Sequence, residues 1–199
     1  VTTFNVDLQD VAESALKRQL EVGEADWGTV VLMEVATGEI HAMSNLTRTA
    51  PGVYREDFNY AIGRRMEPGS TFKLASLIAL LEDAGMSIDD KIDCRSDERR
   101  IAKVGGYDVR DDHREQVITL RRVFEVSSNI GFARAVYDHY DKDRARYVNF
   151  IKGMGLGDTL GIVIGGEKAP LIKDPAVKDT RDPRRWDGMT LGRMAYGYA

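Results

Sequence analysis

The residues best placed for covalent chemistry lie in Glu67-Pro68-Gly69-Ser70-Thr71-Phe72-Lys73. Pro68 and Gly69 impose a tight lead-in to a helix, with Ser70 in its first turn. There the hydroxyl stands near unsatisfied backbone N–H groups and the positive helix end. Lys73 follows one turn later on the same face. A serine hydroxyl is a weak nucleophile without a base, and a lysine is a base only when neutral. Burial beside an apolar helix and other cationic groups lowers an amine's pKa by up to ~3–5 units. Each unit costs ~1.4 kcal/mol. The chemistry expected is nucleophilic attack by Ser70, with Lys73 as the candidate base.

The spacing alone is weak, because a chain of this size contains roughly one Ser-x-x-Lys by chance. A second copy, Ser14 to Lys17, sits in mid-helix without a Pro-Gly lead-in and reads as a solvated face. Ser127-Ser128-Asn129 interrupts a helical pattern. In a near-extended segment, residues two apart point the same way. Ser127 and Asn129 would then offer a proton-relaying hydroxyl and an amide for a substrate amide. Ser and Asn also favour helix starts, so a plain capping cluster is the competing reading.

These residues need rigid supports. Leu8, Val11, Ala12, Ala15, Leu16 and Leu20 predict an amphipathic helix over 7–22, stopped by Gly23. The apolar run 29–36 predicts a buried strand. A turn at Thr37-Gly38 and the alternating segment 39–44 complete a hairpin. Residues 45–69 read as irregular. A helix over 70–83, closed by Gly85, carries Phe72, Leu74, Leu77, Ile78 and Leu81 and is expected to be buried. A charged hairpin is expected around Gly105-Gly106. Helices are expected from Thr119 to about 126, over 130–140 and over 143–152.

Composition narrows the function. Among 199 residues the net charge is −4, with no basic block, which disfavours nucleic acid. One cysteine, Cys94, excludes an internal disulfide and a Cys-based zinc site. His41, His113 and His139 lack metal-ligand spacing, so no metal or cofactor is expected. Gly153-Met154-Gly155-Leu156-Gly157 follows a predicted helix rather than a strand, which removes a dinucleotide reading. No stretch approaches the ~20 apolar residues of a membrane helix. Val1, in place of Met, reads as the start of a cut or processed piece.

Glu-Pro-Gly-Ser-Thr-Phe-Lys followed by Ser-Ser-Asn resembles the transpeptidase domain of class B penicillin-binding proteins. Further likenesses run along the chain. Val1 to Leu16 is similar to the family's opening strand and first helix, and Thr37 to Met43 to its hairpin. Asn59-Tyr60-Ala61 precedes the Ser70 motif as in the family, 153–157 and Gly166-Glu167 look like its later loop, and 186–198 resembles the stretch leading into the last third of the domain. The Glu-Pro-Gly lead-in and the Asn of Ser-x-Asn look like the septal, cell-division branch. The third motif, Lys-Thr/Ser-Gly, is not found after Asn129, and Lys103-Val104-Gly105 precedes the second motif in a charged loop. The neighbours of Glu167 do not match the deacylating loop of class A β-lactamases.

The resemblance implies an α+β fold of the penicillin-binding-protein and serine β-lactamase type, with an antiparallel hairpin and a helical subdomain. Residues 1–199 would be the N-terminal two thirds of one such domain, holding two of five expected sheet strands. It implies a peptidoglycan D,D-transpeptidase: Ser70 attacks D-Ala–D-Ala of a stem peptide, Lys73 is the base, Ser127 relays a proton and Asn129 binds the substrate amide. Ser70 N–H would be one oxyanion donor and the third-motif strand the other. Loss of one such donor typically costs ~3 kcal/mol, so the 199 residues alone are expected to be nearly inactive. The implied partners are stem peptides, β-lactams and division proteins, at the periplasmic face of the inner membrane on an anchor outside this chain. An open hairpin edge would favour a strand-swapped oligomer. Competing functions are a penicillin sensor or silent division scaffold, and a β-lactamase or D,D-carboxypeptidase.

Overall fold

The computed structural model describes residues 2–199, in two compact units. One comprises the chain up to residue 65 together with 159–168, and the other 66–158 together with 169–199.

The first unit begins with α1 (Val6–Val22). Asn5 caps it, its side-chain oxygen accepting from Leu8 N, and Gly23 closes it by donating to Gln19 O. Three antiparallel strands follow in the order β1 (Trp27–Met33), β2 (Ile40–Ala50), β3 (Val53–Arg55). The hairpin turns at Thr37-Gly38, where Gly38 takes φ +77°. β2 runs past the predicted 39–44, and β3 lies inside the stretch expected to be irregular, so the sheet holds three strands rather than two. The reason is visible in burial. Residues 42–46 of β2 are buried without interruption, Ser44 and Asn45 among them, and this erases the two-residue alternation that marks a strand.

α1 grips the sheet by a narrower stripe than its sequence offers. Gln9 exchanges two 2.9 Å hydrogen bonds with the Met43 backbone. Leu16 and Leu20 descend on Gly28, where a Cβ would stand 2.8 Å from Leu20 Cδ2. Leu8 and Val11 remain exposed. So do Val31, Leu32 and Met33, because β1 is an edge strand with a hydrogen-bonded neighbour on one side only. This corrects the expectation of a buried strand. Thr2–Phe4 forms no strand, although Thr3 Oγ1 donates to Ile40 O; Val1 lies outside the described residues.

Tyr60 opens α2 (Tyr60–Gly63). It stacks on Trp27 at 4.3 Å and shares a 2.8 Å hydrogen bond with Thr47 Oγ1. Glu167 is consumed structurally: its carboxylate accepts from the backbone N–H groups of Leu160, Gly161 and Ile162. The hairpin gathers Glu34, Glu39 and His41, which the linear sequence scatters, so that their ligand atoms lie within 4.8 Å; both carboxylates are solvent-exposed.

The second unit carries the remaining elements. Gly69–Phe72 is a 3₁₀ turn, α3 spans Lys73–Ile78, and Ala79–Asp83 winds as a π-helical turn. Then come β4 (Lys91–Asp93), β5 (Ile101–Val104), β6 (Tyr107–Arg110) and β7 (Val117–Thr119). β5 and β6 form the hairpin expected around Gly105-Gly106, and β4 pairs with β7. The helices that follow are α4 (Leu120–Glu125), α5 (Asn129–Tyr140), α6 (Arg144–Ile151), continued by a π-helical turn over Lys152–Leu156, and α7 (Thr190–Ala195). Thr119 and Asp143 cap α4 and α6 by accepting from Arg122 N and Arg146 N.

α5 is the central support. Phe132, Val136 and Tyr140, four residues apart, are fully buried against Leu80, Val123, Tyr147, Ile151 and Leu191. Each such side chain contributes about 1.5–3 kcal/mol of burial. α3 sits in the same core, but Leu74, expected inside, is 53% exposed. Lys73 and Leu77 occupy the inward line, and Leu74 lies one 100° step round from it.

A polar rivet fixes α3 to α6 and α7. Ser76 Oγ donates to Ala195 O and meets Tyr147 Oη, both at 2.8 Å. Ser76→Ala would leave a buried hydroxyl and a carbonyl with one partner fewer. We expect it to lower stability by about 1–3 kcal/mol, read as an earlier midpoint in urea unfolding.

Candidate active site

Ser70 is the second residue of the 3₁₀ turn and is exposed, whereas Lys73, one turn later, is 2% exposed. The nucleophile candidate therefore faces solvent with the amine beneath it. Gly69 makes the turn possible with φ +59°. The turn is tied from behind: Gly69 N donates to Gly197 O at 3.0 Å.

Ser127 arrives from the gap between α4 and α5. Its φ of +54° is left-handed, a conformation that costs a non-glycine residue about 1–3 kcal/mol. The strain brings two oxygens to one place. Lys73 Nζ donates to Ser127 O at 2.6 Å, to Ser127 Oγ at 2.8 Å and to Ser70 Oγ at 3.2 Å. An ammonium has three protons, and here each finds an acceptor. When one proton leaves, two donors can stay on Ser127 while the lone pair faces Ser70, the longest of the three contacts.

Ser128 is the N-cap of α5, its Oγ accepting from Gly131 N at 2.9 Å. The capping reading thus holds for Ser128, while Ser127 of the same tripeptide turns its hydroxyl to Lys73. Asn129 is the first residue of the helix, and its Nδ2 donates to Arg110 O at 2.9 Å. That bond orients the amide and leaves Oδ1 as the end able to accept from a substrate N–H. The structure brings Ser70, Lys73 and Ser127 into one hydrogen-bonded set and anchors Asn129 on β6 beside Ser128.

Electrostatics differ from the expectation in one respect. Burial lowers the Lys73 pKa to about 8, as anticipated, but the charges acting on it are carboxylates. Asp111 and Asp112 raise it, and cations do not share the work of lowering it. Asp111 was not foreseen. It is buried, it accepts from Ser128 Oγ and Asn129 N at 2.5 Å and from Ile130 N at 3.1 Å, and no local pattern marks it. A cavity of about 60 Å³ lies against Asp111, Asp112, His113 and Ser127. Burial pushes the Cys94 thiol up to about 11, so it does not compete as a nucleophile near neutrality.

The sequence matches the family model for the penicillin-binding protein transpeptidase domain over residues 28–182, across both units. The chain belongs to the penicillin-binding protein transpeptidase family. The class B resemblance holds along its length. It is 26% identical to the probable peptidoglycan D,D-transpeptidase PenA of Neisseria gonorrhoeae, over 100% of this chain and 32% of that protein. It is 24% identical to the peptidoglycan D,D-transpeptidase FtsI of Escherichia coli, over 96% of this chain and 31% of that protein. The chain thus spans about a third of the length of these curated relatives. The transpeptidase (TP) domain of penicillin-binding protein 3 from Burkholderia pseudomallei superposes with a TM-score of 0.79 at 21% identity, over 100% of this chain and 53% of that one. The penicillin-binding-protein fold is therefore the fold of this chain: helices with antiparallel sheets, α+β. Lys103-Val104, expected in a charged loop, lies on a strand instead. Lys103 sits on β5 and pairs with Asp108 on β6 at 2.6 Å.

Proposed function

We propose that this chain carries the nucleophile half of a serine acyl-transfer site of a peptidoglycan D,D-transpeptidase. The observation that carries the reading is the buried Lys73 amine, held between Ser70 Oγ and Ser127 Oγ. In this reading neutral Lys73 takes the Ser70 proton as Oγ attacks the penultimate D-Ala carbonyl of a stem peptide. Ser127 passes a proton to the departing D-Ala amine, and Asn129 Oδ1 accepts from the substrate amide. An amine of a neighbouring stem then releases the acyl group and regenerates Ser70. A β-lactam enters by the same attack and leaves Ser70 acylated.

The setting belongs to the same proposal: septal wall synthesis, an extracytoplasmic site beside division proteins, and the 199 residues as the N-terminal two thirds of one transpeptidase domain. No helix among the described residues is long and apolar enough to cross a membrane. No Lys-Thr/Ser-Gly follows Asn129 in the 199 residues. Taken alone, they supply the Ser70 N–H as one oxyanion donor and are expected to acylate far more slowly than the complete gene product.

The test is the complete gene product with a fluorescent penicillin. A lasting adduct on the peptide containing Ser70, followed by cross-linking of paired stem peptides, supports the reading. Rapid turnover of the penicillin points to a β-lactamase, and labelling elsewhere overturns the assignment. The pH dependence follows from Lys73. With a pKa of about 8, only about a tenth of the amine is neutral at pH 7. Acylation is therefore expected to rise nearly tenfold per pH unit below 7 and to level off above about 9. A rate independent of pH between 6 and 9 removes Lys73 as the base.

A further inference from the structure

We propose that Asp111 is a positioning residue of this site, holding the Ser127–Asn129 backbone in its strained form and acting as the buried counter-charge to Lys73. Its carboxylate accepts from Ser128 Oγ and Asn129 N at 2.5 Å and from Ile130 N at 3.1 Å. Two of these donors are the first backbone N–H groups of α5, which have no partner within the helix. A buried negative charge at that end is favoured by the helix dipole. Ser128 completes the brace by receiving Gly131 N while giving its own proton to Asp111. The residue just before this clamped segment is Ser127, the left-handed one whose carbonyl and hydroxyl both hold Lys73. With 128–130 fixed, Ser127 has little freedom to relax out of its strained angle.

The charge has a second effect. Asp111 and Asp112, from the loop after β6, oppose the desolvation of Lys73 and keep its pKa near 8 rather than lower. The other groups facing this segment are His113 and Glu115, which share the cavity beside Ser127, and the thiol of Cys94, which lies against Ser128. Of these, Asp111 alone both bonds to the Ser-Ser-Asn backbone and acts on Lys73. One residue thus couples the geometry of the proton relay to the protonation state of the base.

The inference rests on the acyl-serine reading, and its test separates the two. In the complete gene product, Asp111→Asn keeps the shape and one acceptor oxygen but removes the charge. Acylation by a fluorescent penicillin should show its pH midpoint moved down by about half a unit to one unit, with a plateau about tenfold lower. Asp112→Asn should move the midpoint and keep the plateau. Ser128→Ala should lower the plateau and keep the midpoint. A merely structural cap would lower melting temperature without moving the midpoint. An unmoved midpoint and plateau in Asp111→Asn, with the wild type labelled at Ser70, overturns the inference and spares the reading. If the wild type gives no Ser70 adduct, the reading falls, and the ¹⁵Nζ titration of Lys73 decides the inference: a midpoint unchanged by Asp111→Asn overturns it. If Asp111→Asn does not fold, an undiminished plateau in Ser128→Ala overturns it.

Discussion

Lys73→Met in the complete gene product is expected to slow Ser70 acylation by about 10²–10⁴-fold, the range a positioned general base supplies. The protein should stay folded. Lys73 is 2% exposed, and methionine matches its length without a charge to desolvate. What is lost is specific: the acceptor for the Ser70 proton, and the two donors that hold Ser127 O and Oγ. Lys73→Arg separates these roles. Arginine keeps a cation and donors but does not deprotonate in proteins. It should therefore be as slow as methionine if Lys73 is a base, and close to wild type if Lys73 is only a structural cation. Ser70→Ala should give no adduct at all. Second-order rate constants for labelling at saturating pH measure all three, and a wild-type rate in Lys73→Arg would remove the base from the mechanism.

The parts of this site legible in the sequence are those set by local chain chemistry. Pro68-Gly69 announced the turn at Ser70, Thr119 and Asp143 announced their helices, and Gly38 the hairpin. The solvated Ser14 and Lys17 on α1 were legible for the same reason. What stayed hidden depends on tertiary burial. β2 lost its alternation because both its faces are covered, and β3 is too short to show one. Leu74 reads as core in the sequence but is exposed, because an apolar helix does not reveal which line points inward. In the sequence Asp111 is one charge among many beside the charged hairpin at Gly105-Gly106. Its meaning comes from α5, seventeen residues away from Ser128 in the hydrogen bond they share. The sequence implies a lowered Lys73 pKa but not the signs of the charges around it, since charge next to a buried group is a property of packing.

Gly197→Ala is expected to cost about 10²-fold in acylation, although Gly197 is 127 positions from Ser70 and carries no functional group. Its φ is +88°, and a Cβ there would stand 2.0 Å from Gly69 O and 2.9 Å from Gly69 N. No side chain can yield, because the obstacle is the backbone of the turn that carries Ser70. Relief requires the turn to move and the Gly69 N to Gly197 O hydrogen bond to break. A shift of about 1 Å in a reacting group costs on the order of 10²-fold. The left-handed strain, about 1–2 kcal/mol, adds a lower melting temperature. Gly85→Ala is the matched comparison. Gly85 has φ +72°, but nothing lies within 4 Å of its added Cβ. It should show the same kind of thermal loss with an unchanged acylation rate. Equal rates in the two variants would make Gly197 a glycine of the fold alone. A slow Gly197→Ala with its pH midpoint still near 8 would place the fault in the nucleophile turn and leave the Lys73 environment intact.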